Sequence, residues 1–466
     1  MTEELSPADR SSLAAERGPV NMAAGGLLVF DSDPPLTRAM VIERIAERIH
    51  LVPRLRQRLG QPPLGLLANP TWVDDAGFDL EWHVRQASLP APGGDAELGA
   101  LVGREFSHRL DRSRPLWEAT LIEGLTGGGR GLLMKVHHAL VDGMAAIGMA
   151  ALVLDPSETP LQIPPPDEAW EPRHYDLRDR VTRLASRPLA LAPKLMVDGL
   201  QRTLNPEPRR VAGDMRRASE VALELARARP QAPMTPLNRP ISPNRRYFVA
   251  HADLVTIKAV GKRAGGTVND AILAVVAGML GRYLAGVMTD SSEAAERLPV
   301  ALVPVSVREA DETGELGNRI STVFVDLPVS EPDLLARVRF VAEQTRSLKD
   351  SAAVRAGALM VGAAGWAPPL VSGMLARAMG SVRAFNLVVS NIPGPQQPFY
   401  LSRVRMREVY PVVPLNPANQ GITVGIVSYD GKVCFGLLAD RDLDPPLSAA
   451  AAGLTAALGE LDGVAA

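Results

Sequence analysis

Residues 131–155, GLLMKVHHALVDGMAAIGMAALVLD, constrain the fold of this 466-residue chain more than any other stretch. Leu132 to Val136 is apolar and continuous enough for a buried strand. The small-residue run from Met144 to Leu154 has the composition of a helix packed closely on its neighbours. Between them lie His137, His138, Asp142 and Gly143. A strand that ends on two imidazoles, just before a helix, presents them on a rigid support. Histidine is the side chain best suited to take and return a proton near neutral pH. Asp142-Gly143 supplies the turn chemistry for a sharp reversal.

Adjacent histidines at a strand end are also compatible with plain core or surface packing. Successive strand residues point to opposite faces, so one strand cannot aim both rings at one metal ion. The i, i+4 histidine pair of a helical zinc site is missing and Cys434 is the sole cysteine, so no metal is expected. The sequence has no G-x-S-x-G elbow, which weighs sharply against a Ser-His-Asp hydrolase.

A chain of this length outgrows one ordinary core and predicts two domains. Apolar residues make up 46% and charged residues 22%, as in globular proteins, and a net charge of −2 offers no basic field for nucleic acid. One cysteine excludes an internal disulfide and fits a reducing, cytoplasmic setting. The polar start, MTEELSPADRSS, lacks the pattern of a signal peptide. No charged residue occurs from Ala356 to Ala376, long enough to span a bilayer, but Pro368-Pro369 interrupts this Ala- and Gly-rich run. Two short apolar helices flanking a turn are expected there, in the core or on a lipid interface, and no transmembrane helix.

Periodicity and turn signals order the elements. Ser6-Pro7-Ala8-Asp9 opens a helix, and a strand follows at 26–30. Residues 37–50 repeat Met40, Ile42, Ile45 and Ile49 at near-helical spacing. A strand with loops is expected at 72–89 and a helix at 98–110. A hairpin joins 115–125 to 132–138 across Thr126-Gly127-Gly128-Gly129-Arg130. That glycine run lacks the Lys-Ser/Thr ending of a phosphate loop and opens no helix. Proline-rich 156–172 begins a link between lobes. Residues 176–229 carry twelve Lys and Arg against seven Asp and Glu; they read as a solvated helical crossover, or as a surface touching anionic headgroups. In the second half, strands are expected at 246–254, 298–307, 320–327, 387–389, 404–413, 422–428 and 432–438. Helices are expected at 267–287, 331–348 and 447–461, and Tyr429-Asp430-Gly431 makes the last hairpin turn. The irregular alternation lacks the βαβ rhythm of a doubly wound sheet and predicts an α+β fold. Two lobes, 1–172 and 237–466, with mixed sheets are joined by a helical connector, 173–236, and their interface forms a cleft. Asn269 falls in the first turn of the helix capped by Thr267 and Asp270, suited either to capping or to facing a cleft.

The segment HHALVDG resembles the HHxxxDG motif of acyltransferases related to chloramphenicol acetyltransferase, a group that includes the condensation domains of peptide synthetases. Pro115-Leu116-Trp117, Asn269-Asp270 and Ser390-Asn391-Ile392-Pro393-Gly394-Pro395 resemble accessory motifs of the bacterial wax ester synthase/diacylglycerol acyltransferase family. They occur in the family's order, and the resemblance runs from Leu5-Ser6-Pro7 to about Asp440. One segment departs from it: Val20-Asn21-Met22-Ala23-Ala24-Gly25 has no histidine where the family usually has a Pro-Met-His-Val-Gly-like sequence.

This resemblance implies two chloramphenicol acetyltransferase-like lobes and direct acyl transfer from long-chain acyl-CoA, a substrate and not a resident cofactor. The acceptor would be a fatty alcohol or diacylglycerol, and the product a wax ester or triacylglycerol. His138 is implied as general base, with His137 supporting the strand end or the base's orientation. Asn269, with Asp270 beside it, is the candidate for oxyanion or substrate binding. Asp142 and Gly143 are expected to be structural, with Arg308 as the partner of Asp142. Pro115, Leu116, Trp117, Ser390, Asn391, Pro393 and Gly394 are expected to shape the cleft. Contact with a membrane or lipid inclusion would be peripheral. Two other readings stand beside this one: a condensation-type acyltransferase using a carrier-protein thioester, and a non-catalytic lipid-inclusion binding protein. The family-specific motifs weigh against the first and the intact HHxxxDG against the second.

Overall fold

The computed structural model describes residues 3–60, 70–140, 152–166, 168–173, 232–285, 287, 297–306, 320–349, 384–415 and 420–465. Asp142, Gly143, Arg308, the 176–229 crossover and the 356–376 segment lie outside the described residues, as does most of the helix expected at 144–154.

The N-terminal half begins with strand β1 (Glu3–Glu4) and helix α1 (Pro7–Ala15). The Ser6 hydroxyl accepts from the Asp9 amide and the Asp9 carboxylate from the Ser6 amide, a reciprocal cap. Then come β2 (Ala23–Phe30), α2 (Arg38–Arg48), β3 (Gln57–Gly60), β4 (Thr71–Asp74), α3 (Leu80–His83), β5 (Val84–Ser88), α4 (Asp95–Ser107), β6 (Trp117–Glu123) and β7 (Arg130–His137). Strands β6 and β7 form the expected hairpin, with Trp117 opposite Val136. At its turn Gly124, Gly127 and Gly128 hold positive φ, which other residues resist. The span 72–89 is divided between two sheets. Strand β4 joins β1 and β3 in a small three-stranded sheet, whereas β5 edges the main one.

The C-terminal half contains β8 (Arg245–Asp253), α5 (Leu254–Arg263), α6 (Val268–Leu284), β9 (Val300–Ser306), β10 (Ile320–Asp326), α7 (Leu334–Lys349), β11 (Leu387–Pro393), β12 (Tyr400–Leu401), β13 (Val404–Val412), β14 (Ile422–Tyr429), β15 (Lys432–Asp440) and α8 (Leu447–Ala465). Its sheet runs β10-β9-β11-β14-β15-β8. Strands β9, β11 and β14 are parallel and the outer pairings antiparallel, so the sheet is mixed. Helix α6 is apolar nearly all round because α5, α7 and α8 pack on it and it shares a core with the sheet. Strand β11 runs on to Pro393, past the boundary expected near Val389, because Ser390 to Pro393 pair with β14.

The two halves exchange chain. Strand β13, expected in the second lobe, and the short β12 complete the first lobe's sheet in the order β12-β13-β2-β7-β6-β5. Glycines make this junction close. Gly425 and Gly436 oppose each other on β14 and β15, and a Cβ on either would press on Pro411 of β13. The Tyr247 hydroxyl donates to the Pro411 carbonyl at 2.8 Å. On α4, a Cβ at Gly99 or Gly103 would collide with the backbone of Tyr247 or Arg245 on β8. The Arg245 amide donates to the Ser107 hydroxyl and its guanidinium to the Pro19 carbonyl, both at 2.8 Å. The result is the α+β, two-lobed architecture that the sequence predicts.

Candidate active site

The double histidine stands where β7 ends, and both neighbouring segments hold its backbone. The Leu116 carbonyl accepts from the His137 amide and the Met22 carbonyl from the His138 amide, each at 2.9 Å. Strand alternation sends the two rings to opposite faces, so His137 is buried and His138 exposed. The Nδ1 of His137 accepts from the Ala139 amide at 2.9 Å, so the neutral ring carries its proton on Nε2. That nitrogen lies 3.5 Å from Oε1 of Glu16.

Glu16 follows α1, and nothing in its local sequence singles it out. Its carboxylate is buried, accepts from the Met22 amide at 3.1 Å and pairs with Arg112 at 2.8 Å. Burial alone would push this carboxyl up, but the facing His137 ring and the hydrogen bond from Arg112 outweigh it and hold the pKa at about 2. Glu16 is therefore ionised and ties together α1, the start of β2 and the chain leading to Pro115. His138 is open to solvent on one side and crowded by protein on the other. That desolvation lowers its pKa below the ordinary histidine value; a bond to its own backbone raises it, and the neighbouring His137 lowers it further. An accessible imidazole held in its neutral form can accept a proton.

The segment without the family's histidine becomes the start of β2, with Ala23 opposite His137. The Asn21 side chain donates to the Phe106 and His108 carbonyls, both at 2.9 Å, and accepts from the Ala23 amide at 3.0 Å. The backbone of this segment supports the histidine strand.

Leu116 and Trp117 lie in the core, not on a cleft wall. The Trp117 indole donates to the Leu55 carbonyl at 2.8 Å, and its ring stacks on His83 with centroids 4.5 Å apart. Burial pulls His83 down to about 4, so it serves as a neutral packing ring. This motif shapes the site from beneath, through the carbonyl that fixes His137.

The structure brings together two motifs more than 100 residues apart: the Asn391 amide donates to Asn269 Oδ1 at 3.0 Å. This bond uses the acceptor of Asn269 and leaves its NH2 group as the half that can donate. Asp270 caps the start of α6. It is buried, and its carboxylate accepts from the Thr267 amide at 2.7 Å and from the Thr267 and Thr345 hydroxyls at 2.8 Å. Gly394 sits where a Cβ would strike the Ser428 carbonyl, and its amide donates to the Ser428 hydroxyl at 3.2 Å. Ser390 and Asn391 are partly exposed on β11, and Pro393 is exposed.

Asp155, which ends the opening stretch, is buried between Arg44 and Arg48 of α2. Two arginines at i, i+4 on the face of α2 that carries Val41 and Ile45 are the one sequence signal for this anchor. Among the described residues no three His, Cys, Asp or Glu side chains could hold a metal ion. No single helix among them is long and apolar enough to cross a membrane.

Residues 5–272 match the wax ester synthase/diacylglycerol acyltransferase catalytic domain, and residues 316–462 match the C-terminal domain of the same family. The chain belongs to this family. A Mycobacterium tuberculosis relative bearing the name diacylglycerol O-acyltransferase is 33% identical over 495 residues, covering 98% of this chain and 96% of its own. The O-acyltransferase WSD of Acinetobacter baylyi is 30% identical, covering 95% and 93%. Among solved structures, the wax ester synthase/diacylglycerol acyltransferase from Marinobacter aquaeolei VT8 matches with a TM-score of 0.68 at 28% identity over 99% of both chains. A starter condensation domain of rhizomide synthetase matches with a TM-score of 0.53 at 13% identity, covering 100% and 95%, and shares the fold alone. The wax ester synthase/diacylglycerol acyltransferase chain described here is thus an O-acyltransferase built on the condensation-type fold.

Proposed function

We propose that the chain transfers a long-chain acyl group from coenzyme A to the hydroxyl of a fatty alcohol or diacylglycerol, with His138 as general base. One observation carries the reading. His138 is accessible and its pKa depressed, whereas His137 is buried and faces an ionised Glu16. In this mechanism the neutral His138 ring takes the hydroxyl proton as the alcohol oxygen bonds to the thioester carbon. The carbonyl electrons move onto oxygen and form a tetrahedral oxyanion. Collapse breaks the C–S bond, and the imidazolium returns its proton to the departing thiolate. The products are the ester and free coenzyme A. Holding both substrates in one cleft supplies the proximity, so no covalent enzyme intermediate is required. The NH2 group of Asn269, at a helix N-terminus, suits the oxyanion. The names of the mycobacterial and Acinetobacter relatives support the choice of acyl acceptor. Because such acceptors are poorly soluble in water, the enzyme works peripherally at a lipid surface.

A panel of long-chain alcohols and diacylglycerol, assayed with palmitoyl-CoA, tests the reading. Free thiol should appear only when a hydroxyl acceptor is present, in an amount equal to the ester formed. Transfer from a carrier-protein thioester alone, or acyl-CoA binding without thiol release, would contradict it.

A further inference from the structure

Helix α5 carries an outward stripe that the fold leaves open. Leu254, Ile257, Val260 and Gly261 turn inward to the core. Val255, Lys258, Ala259 and Lys262 stand outward and all four are exposed. Their i, i+3, i+4, i+7 spacing sets them on one face. Val255 is 75% exposed, the most open of the large apolar side chains among the described residues. Cations continue beyond the stripe. Arg263 closes the helix, and the Arg346 guanidinium of α7 reaches the Gly265 carbonyl at 3.3 Å. The acidic side chains nearby on the elements packed here are Asp253 at the start of α5, Glu343 on α7, and Asp462 near the end of α8, where the Val464 carbonyl accepts from Arg263. The face is therefore locally positive in a chain whose net charge is −2.

Helix α5 bends by 95° into α6. The turn between them leads in a few residues to Asn269, whose side chain meets Asn391. A surface lying against α5 is thus adjacent to the helix start that the acyl-transfer reading uses.

We propose that the α5 face docks on an anionic lipid surface and sets the acyl-transfer site beside its water-insoluble substrates; the second half of this statement rests on the proposed function. Charge selects this occupant. Lysine stems lie along an interface while their ammonium groups reach the phosphate level, and a valine between them enters the acyl boundary. One open valine offers far less apolar area than a stable protein interface buries. The local excess of charge is small, so the contact is weak and reversible by salt.

Flotation of the full chain with vesicles, either pure phosphatidylcholine or phosphatidylcholine mixed with phosphatidylglycerol, tests the docking without any turnover. The wild type should float with the anionic vesicles, and high salt should release it. Lys258→Glu/Lys262→Glu should weaken binding by on the order of tenfold or more, and Val255→Asp by several-fold. Lys258→Gln/Lys262→Gln should weaken it by a smaller factor, with circular dichroism unchanged for each variant. Turnover of micelle-dispersed substrates should stay at the wild-type level in both lysine pairs. Flotation of an inactive wild type would support the docking and defeat only the acyl-transfer reading. Absence of flotation, equal binding to neutral vesicles, or unaltered flotation of the glutamate pair would overturn the docking proposal.

Discussion

His137 and His138 adjoin in sequence and differ in every physical respect. The buried ring faces the Glu16 carboxylate, whereas the accessible ring keeps a depressed pKa. The Glu16 pKa, lowered from 4.5 to about 2, stabilises the fold at neutral pH by on the order of 3 kcal/mol. For a depressed carboxyl this contribution is present above its unfolded pKa and is lost as pH falls from about 4.5 through about 2. Glu16→Gln should therefore lower the melting temperature at neutral pH and remove this part of the acid destabilisation, read by denaturant unfolding across the acid range. Turnover should fall with it, since His137 loses the group that its Nε2 faces. His138 must be neutral to act, so the acid limb of kcat/KM should lie below the ordinary histidine value of 6.5. A limb at or above that value would count against the assignment. The paired histidines are legible because motif and strand pattern coincide. Glu16 is not, because its burial depends on Arg112, 96 residues away, and leaves no local trace.

The start of α6 divides two adjacent residues between structure and chemistry. Asp270→Ala removes bonds to Thr267 and Thr345 and should cost about 1–3 kcal/mol, measured as a lower melting temperature. Asn269→Ala should leave the melting temperature within a degree or two and lower kcat, through loss of the candidate oxyanion donor. The reverse pattern would exchange the two roles. Most elements can be read from the sequence, and the exceptions have causes. Helix α5 is hidden because Val255, Thr256 and Ile257 are β-branched and continue the strand pattern of β8, while packing of Ile257 and Val260 makes the segment helical. Strand β13 shows its strand pattern plainly, but such a pattern does not say which sheet a strand will join. Its place beside β2 follows from non-local pairing of Tyr410 with Leu27 and Val412 with Gly25.

At the scale of the whole molecule, the lobes are joined by close backbone approach and by exchanged strands. Gly99→Ala and Gly436→Ala would each place a methyl group against a carbonyl oxygen, of Tyr247 and Pro411 respectively. Each should destabilise by about 1–3 kcal/mol, read from the shift in chemical denaturation midpoint. Silent substitutions would mean that the lobes separate more readily than this packing allows. The claim that joins fold to function is that His138 performs proton transfer while the rest of the site holds the substrates. The most direct test compares His138→Ala with the wild type in rapid mixing with palmitoyl-CoA and a long-chain alcohol, following thiol release and, separately, acyl-CoA binding. Thiol release should slow by roughly 100- to 10,000-fold while Kd for acyl-CoA stays within about twofold. Turnover within a few-fold of the wild type, or an equal loss of acyl-CoA binding, would contradict the account.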